Sequence, residues 1–165
     1  MASGQAHTRA SLLAVLPAGI AAGLILGPWA VPGAMLGCNA GVLLTPDLDQ
    51  IGISKGEWTL VRKLGPLGFL WMAFWSVYAK ALRHRGFWSH CPVVGTIGRL
   101  GYCGVLISLI WIILGRPEIP PLTPEMQEFL WGAGLGLLIS DTIHFIMDGC
   151  CLRNGFLTHR RGGDR

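Results

Sequence analysis

Long stretches of the chain carry no charged side chain, among them Leu12 to Thr45, Gly101 to Gly115 and Phe129 to Ser140. A helix crossing a bilayer core needs about 20 apolar residues, so runs of this kind predict membrane helices. Four segments follow from the apolar positions and their breakers. The first covers about Ala10 to Leu26 and stops at Gly27-Pro28; the second covers about Val31 to Leu44 and stops at Thr45-Pro46. Proline disfavours helix in the residue before it, which makes both breaks helix ends. The third runs from about Val93 to Leu114 and the fourth from about Gln127 to Asp148. Between the second and third lies a mixed stretch, Asp47 to Cys91, which holds "GPLGFLWMAFWSVYAK". Its tryptophans and closing Lys80 suit a helix lying in the membrane interface, where aromatic rings and a snorkelling lysine are favoured.

Composition agrees. Of 165 residues, 52% are hydrophobic and 13% charged, the latter about half the usual share of a soluble protein. The expected fold is all-α: a polytopic membrane bundle of about four segments plus an interfacial helix. Residues 1–152 would form one membrane-embedded domain and 153–165 a basic cytoplasmic tail. Arg9 ahead of an apolar run imitates a secretory signal, but the run continues far beyond a signal core.

Charge sets the expected topology. Of the 13 Lys and Arg, all but Arg99 and Arg116 lie before the first segment, in the long loop, or in the tail. The positive-inside rule then puts both termini and the loop in the cytoplasm. The first two segments are short for full crossings, so a tilted or re-entrant hairpin is the expectation. One kinked crossing from Ala10 to Leu44 would put the N-terminus outside, against the charge count. Glycines recur every four residues at Gly19, Gly23 and Gly27 and at Gly132 and Gly136, and every three at Gly95, Gly98, Gly101 and Gly104. Small residues on one face let membrane helices approach closely. Glycine is also simply common in such helices, an explanation that suits a single pair better than the run of four. The odd set of five cysteines has no CxxC spacing and suggests neither a disulfide frame nor a zinc ribbon. Cys150 and Cys151, beside Arg153, are candidates for palmitoylation.

Some polar residues are out of place in such a chain. Asp141, His144 and Asp148 interrupt the fourth segment at a spacing that puts them within about 60° on one helix face. Each charge near a bilayer centre costs a few kcal/mol, so three on one stripe point to a site. Asp141 and Asp148 are about 10 Å apart along the axis, too far to share one small ion. His144 and Asp148 could share one, leaving Asp141 to hold a second or to accept the spare N–H of a ligating histidine. In "TPDLDQ", Asp47 and Asp49 diverge in a helix but share a face in an extended or turn segment. That pair suits divalent cations, or ordinary helix-start chemistry with Thr45 as cap. The "HRGFWSH" stretch adds His84 and His90, with Arg83 and Arg85 placed to meet an anion; Ser89 is expected to cap the third segment. His7, His84, His90, His144, Asp47, Asp49 and Asp148 all converge on the predicted cytoplasmic boundary. Imidazole plus carboxylate without thiolate suits Zn²⁺, Mn²⁺ or Fe²⁺ better than Mg²⁺ or Ca²⁺.

The motifs "ASGQAHTR", "PDLD", "KLGPLGFLWM…YAKALRHRGFWSH" and "HFIMD", taken in order, resemble an uncharacterised bacterial family of metal-binding membrane proteins. That family is related to the LexA-regulated, membrane-bound metal-dependent hydrolases, with an early His, a Pro-Asp-x-Asp, an His-Arg-Gly-x-x-His and a late His-x-x-x-Asp. The resemblance, over Ser3 to Asp148, implies a ligand role for His7, Asp47, Asp49, His84, His90, His144 and Asp148. More distantly, the chain is similar to zinc-dependent phospholipase C and the S1-type nucleases. It departs from these in lacking an N-terminal tryptophan ligand, in carrying one His-x-x-x-Asp/Glu motif, and in length. One or two ions, zinc foremost, are therefore expected rather than three.

Three functions compete. A metal-dependent hydrolase would act on a phosphoester, such as a lipid or lipid-linked phosphate, with Asp49 or Asp141 as base and Arg85 holding the phosphate. A non-catalytic sensor or assembly factor would close its metal site against water. An ion transporter would need ionisable residues near mid-bilayer on several helices, whereas Asp141 alone lies deep. Membrane lipids are the expected partners. Nucleic acid is not, because the basic pI near 9.0 follows from the topogenic cations.

Overall fold

Small residues make the centre of this protein and large apolar ones its outside. The computed structural model describes residues 4–49, 62–82, 87–153 and 156–159. Ala22, Ala30, Ala34 and Cys38 are 0% exposed, whereas Leu13, Leu24 and Ile113 are 80%, 84% and 82% exposed. A soluble protein would do the reverse. Lipid tails are as apolar as leucine, so large side chains gain nothing by turning inward, while small ones let helix backbones close.

Among the described residues, three helices have the length and hydropathy to cross a membrane: α1 (Gly4–Leu26), α5 (Pro92–Ile113) and α6 (Pro124–Met147). The 23 residues of α1 rise about 34 Å, enough for a hydrocarbon core of about 30 Å. The helical architecture is as expected apart from a two-stranded ribbon after α6, and the second segment, already short by its sequence, makes no fourth crossing helix. Helix α2 (Ala30–Ala40) has 11 residues and rises only about 16 Å. It ends in the low-propensity run Gly37 to Gly41, where Asn39 turns its amide back to the Met35 carbonyl at 2.9 Å.

Helices α1 and α2 form a hairpin about Gly27, whose φ of 119° favours glycine. A Cβ there would also strike Glu128, whose Oε2 accepts the Trp29 N–H at 3.2 Å. The turn is thereby tied to the first turns of α6. Helix α2 then lies backbone to backbone on α6. A Cβ on Gly33 or Gly37 would collide with the carbonyls of Phe129 and Ala133, and one on Gly132 or Gly136 with those of Ala30 and Ala34. Gly19 and Gly23 receive the side chains of Met35 and Val31. The three-residue glycine run behaves differently from its expectation. Only Gly95 is tightly packed; Gly101 and Gly104 meet nothing within 4 Å, because that face of α5 is turned away from the bundle.

Helix α6 starts with Pro124 in its first turn and Thr123 as cap, accepting the Met126 N–H at 3.3 Å. Helix α3 (Pro66–Ala81) forms where the interfacial helix was expected. It buries Trp75 and Tyr78 around Leu48, beside Phe74 and the α5 residue Tyr102, whose hydroxyl donates to the Phe74 carbonyl at 2.7 Å. Leu48 lies between Asp47 and Asp49, so this aromatic cluster pins the turn that carries both carboxylates. A one-turn helix α4 (Phe87–His90) precedes α5. After α6, β1 (Cys150–Arg153) pairs antiparallel with β2 (Phe156–His159) in a short ribbon.

Candidate metal centre

Three elements bring four donor residues together at one end of the bundle. Asp47 comes from a 3-10 turn, Pro46–Asp49, with its N–H on the Thr45 hydroxyl at 3.3 Å. His90 ends α4, and His144 and Asp148 come from the last turn and cap of α6. One donor atom from each of Asp47, His90, His144 and Asp148 lies within 4.8 Å of all the others. His144 Nε2 is 3.5 Å from Asp47 Oδ2 and 3.4 Å from Asp148 Oδ2, and His90 Nε2 is 3.7 Å from Asp47 Oδ1. His90 is 1% exposed, His144 6% and Asp148 8%, while the Asp47 side chain keeps 31%. The cluster is open on the Asp47 side.

Two further expected ligands lie beside this group. Asp49 Oδ2 is 3.4 Å from Nδ1 of His90, the opposite ring nitrogen from the one facing Asp47. The two carboxylates of "PDLD" thus clasp one imidazole from both edges, and Asp49 sits where it fixes the ring and tautomer. His7, at the start of α1, stacks on His144 with ring centroids 4.0 Å apart and puts Nε2 3.2 Å from Asp148 Oδ1. His84 and Arg85, with Arg83, lie outside the described residues.

Asp141 occupies a different position from the one expected of a base or a second ligand. Its Oδ2 accepts from Thr96 Oγ1 and Arg99 Nη2 of α5, all three residues being buried. Ser89 is not the cap of α5, a position that Cys91 takes without a side-chain bond; its hydroxyl instead meets His90 Nδ1 at 3.1 Å. The topology count sets Arg99 aside as lying inside the third segment, and the sequence reading gives it no partner. The signal was present: one cation in an otherwise uncharged helix, and one deep acid in the next, make a matched pair.

The electrostatics are those of a cation site. Burial alone would push the His90 imidazole down, but Asp47 and Asp49 outweigh it and lift it to about 9. Burial would raise the Asp47 carboxyl, yet His144 and His90 hold it well below the usual carboxylate range. The donor chemistry also fits. His144 Nε2 and Asp148 Oδ2 are buried and make no hydrogen bond among the described residues, a state that calls for an ion or another compensating group. Two imidazoles and two carboxylates without thiolate match a borderline divalent metal.

The model of the family described as "Uncharacterized metal-binding protein (DUF2227)" matches residues 2–155. No curated protein and no solved structure matches the chain.

Proposed function

Since the chain belongs to this metal-binding family, we propose that it is a membrane-bound, metal-dependent hydrolase of phosphoesters such as lipid or lipid-linked phosphates. The single observation that carries the reading is the half-open N2O2 cluster at one end of helices long and apolar enough to span a membrane, the level at which lipid head groups would lie. Asp47, His90, His144 and Asp148 would hold a divalent cation, zinc, manganese or iron(II), with His7 beside it. When bound, the cation supplies Lewis acidity, lowering the pKa of water and polarising a phosphoryl oxygen.

The chain's own residues do the rest. Asp49 keeps the His90 ring oriented from behind. Asp141 is committed to Arg99 and Thr96, so neither carboxylate expected as base faces the open side; Asp47 does. Arg85, and with it Arg83, would bind the phosphate through guanidinium donors, and His84 would complete the donor set. The distribution of Lys and Arg along the chain supports a cytoplasmic position for this end of the bundle.

A non-catalytic metal-binding role is favoured by one observation: four protein donors would fill a tetrahedral site, leaving no place for water. One experiment separates the two. Metal content and turnover of a phosphoester panel, including phosphatidic acid and prenyl phosphates, are measured on protein in lipid nanodiscs, beside His144→Ala. Saturable metal with turnover, both lost in the variant, supports the hydrolase. Metal without turnover on any substrate supports the non-catalytic role. Equal metal in both proteins would sink the ligand assignment.

A further inference from the structure

Helix α5 is 22 residues long, yet Gly95, Thr96 and Arg99 are its buried residues. All three belong to one turn near its start, and all three are engaged in one knot. Thr96 Oγ1 and Arg99 Nη2 donate to the same oxygen of Asp141. Arg99 Nη1 donates to the Ser89 carbonyl at 3.1 Å. Gly95 lies against that carbonyl, where a Cβ would collide with it. Arg99, Asp141 and Ser89 are each 1% exposed.

We propose that the Arg99–Asp141 pair positions the metal centre, acting on His90 through the Ser89 carbonyl. The inference rests on the reading that Asp47, His90, His144 and Asp148 hold a cation. A guanidinium is a rigid fork that donates in two fixed directions. Here one branch grips α6 three residues before His144, and the other grips the backbone of the residue before His90. One side chain thus ties the element carrying one imidazole to the helix carrying the other. Ser89 is held twice, by its carbonyl on Arg99 and by its hydroxyl on His90 Nδ1 at 3.1 Å. Gly95 is what lets that turn sit close enough to α5. Stability alone is a poor reason for such a pair, because well-packed apolar residues replace buried ion pairs at little or no cost. Orientation of a ligand is a better one.

The test is a Co²⁺ titration of the full chain in nanodiscs, read by affinity and by the visible absorption of the bound ion. Arg99→Met with Asp141→Leu removes both charges and strands neither. It is expected to melt close to wild type while its Co²⁺ Kd rises about 10–100-fold and its visible band shifts in position or intensity. Arg99→Lys carries the test if the double variant does not purify. Its point charge can meet Asp141 but not the Ser89 carbonyl as well, and about a tenfold rise in Kd is expected. Wild-type Kd and wild-type spectrum in either variant would overturn the proposal. A wild type that fails to bind Co²⁺ saturably, or a His144→Ala variant that binds as wild type does, would instead remove the ligand reading beneath it.

Discussion

At the scale of the residue, His90 decides most. With Asp47 and Asp49 lifting its imidazole to about 9, the metal-free centre at neutral pH is an imidazolium held between carboxylates. A cation must displace that proton, so affinity should rise with pH. The slope follows from one proton per ion: Kd should fall about tenfold per unit between about pH 6 and pH 8 and level off above about 9. Titrations across that range check it, and a flat profile would mean that His90 does not ligate. The sign of the stability linkage is opposite. The raised His90 supports the metal-free fold fully below its ordinary 6.5, and that support is lost as pH climbs through about 9. The depressed Asp47 supports it above its ordinary 3.8 and ceases to as pH falls. Both shifts describe largely one interaction, so they are not to be added.

At the scale of the element, close approach is the controlling quantity. Helix α2 is held to α6 by reciprocal contacts of glycine with backbone, not by large side chains, so a single added side chain has no neighbour that can yield. Gly37→Leu should therefore lower stability by roughly 1–3 kcal/mol or more. Gly101→Leu, facing open space on α5, should stay within about 0.5 kcal/mol. Thermal melts of the two variants in one detergent make the comparison, and equal midpoints would contradict the packing described. The Gly33 and Gly37 spacing that carries this contact is readable in the chain, four residues apart like the pairs noticed elsewhere. The run through Gly104 looked stronger and packs less. Spacing shows that a helix has a small face; it does not say which helix, if any, lies against it.

At the scale of the whole molecule, the start of α1 and the end of α6 meet, since His7 reaches Asp148 and stacks on His144. The "PDLD" turn and α4 join them at the same end. The bundle therefore has one end that carries chemistry and another made of turns, Gly27 to Trp29 and Gly115 to Thr123. If the cations lie inside, the second end faces outward. In a cysteine-free background of intact cells, an impermeant thiol reagent should label Glu118→Cys, while Lys63→Cys should react only after permeabilisation. Labelling of both from the same side would refute this orientation.

The sequence by itself determined the helical class, the presence of helices apolar enough to cross a membrane, the C-terminal ends of α1 and α6 and both ends of α5 to within a residue, and which residue types collect at segment ends. Those properties add up along one dimension: a run without charge is apolar wherever it lies, and a proline stops a helix locally. The sequence also held the donors Asp47, His90, His144 and Asp148. Tertiary structure alone decided that Gly33 and Gly37 of α2 lie against α6, that Asp49 stands behind His90, and that Asp141 belongs to Arg99, 42 positions away. Coordination and ion pairing depend on distances of a few ångströms between atoms far apart in the chain, and helix rotation and backbone approach set those distances. A one-residue change in where a helix ends turns a side chain by about 100°, more than the arc of about 60° that Asp141, His144 and Asp148 share on α6.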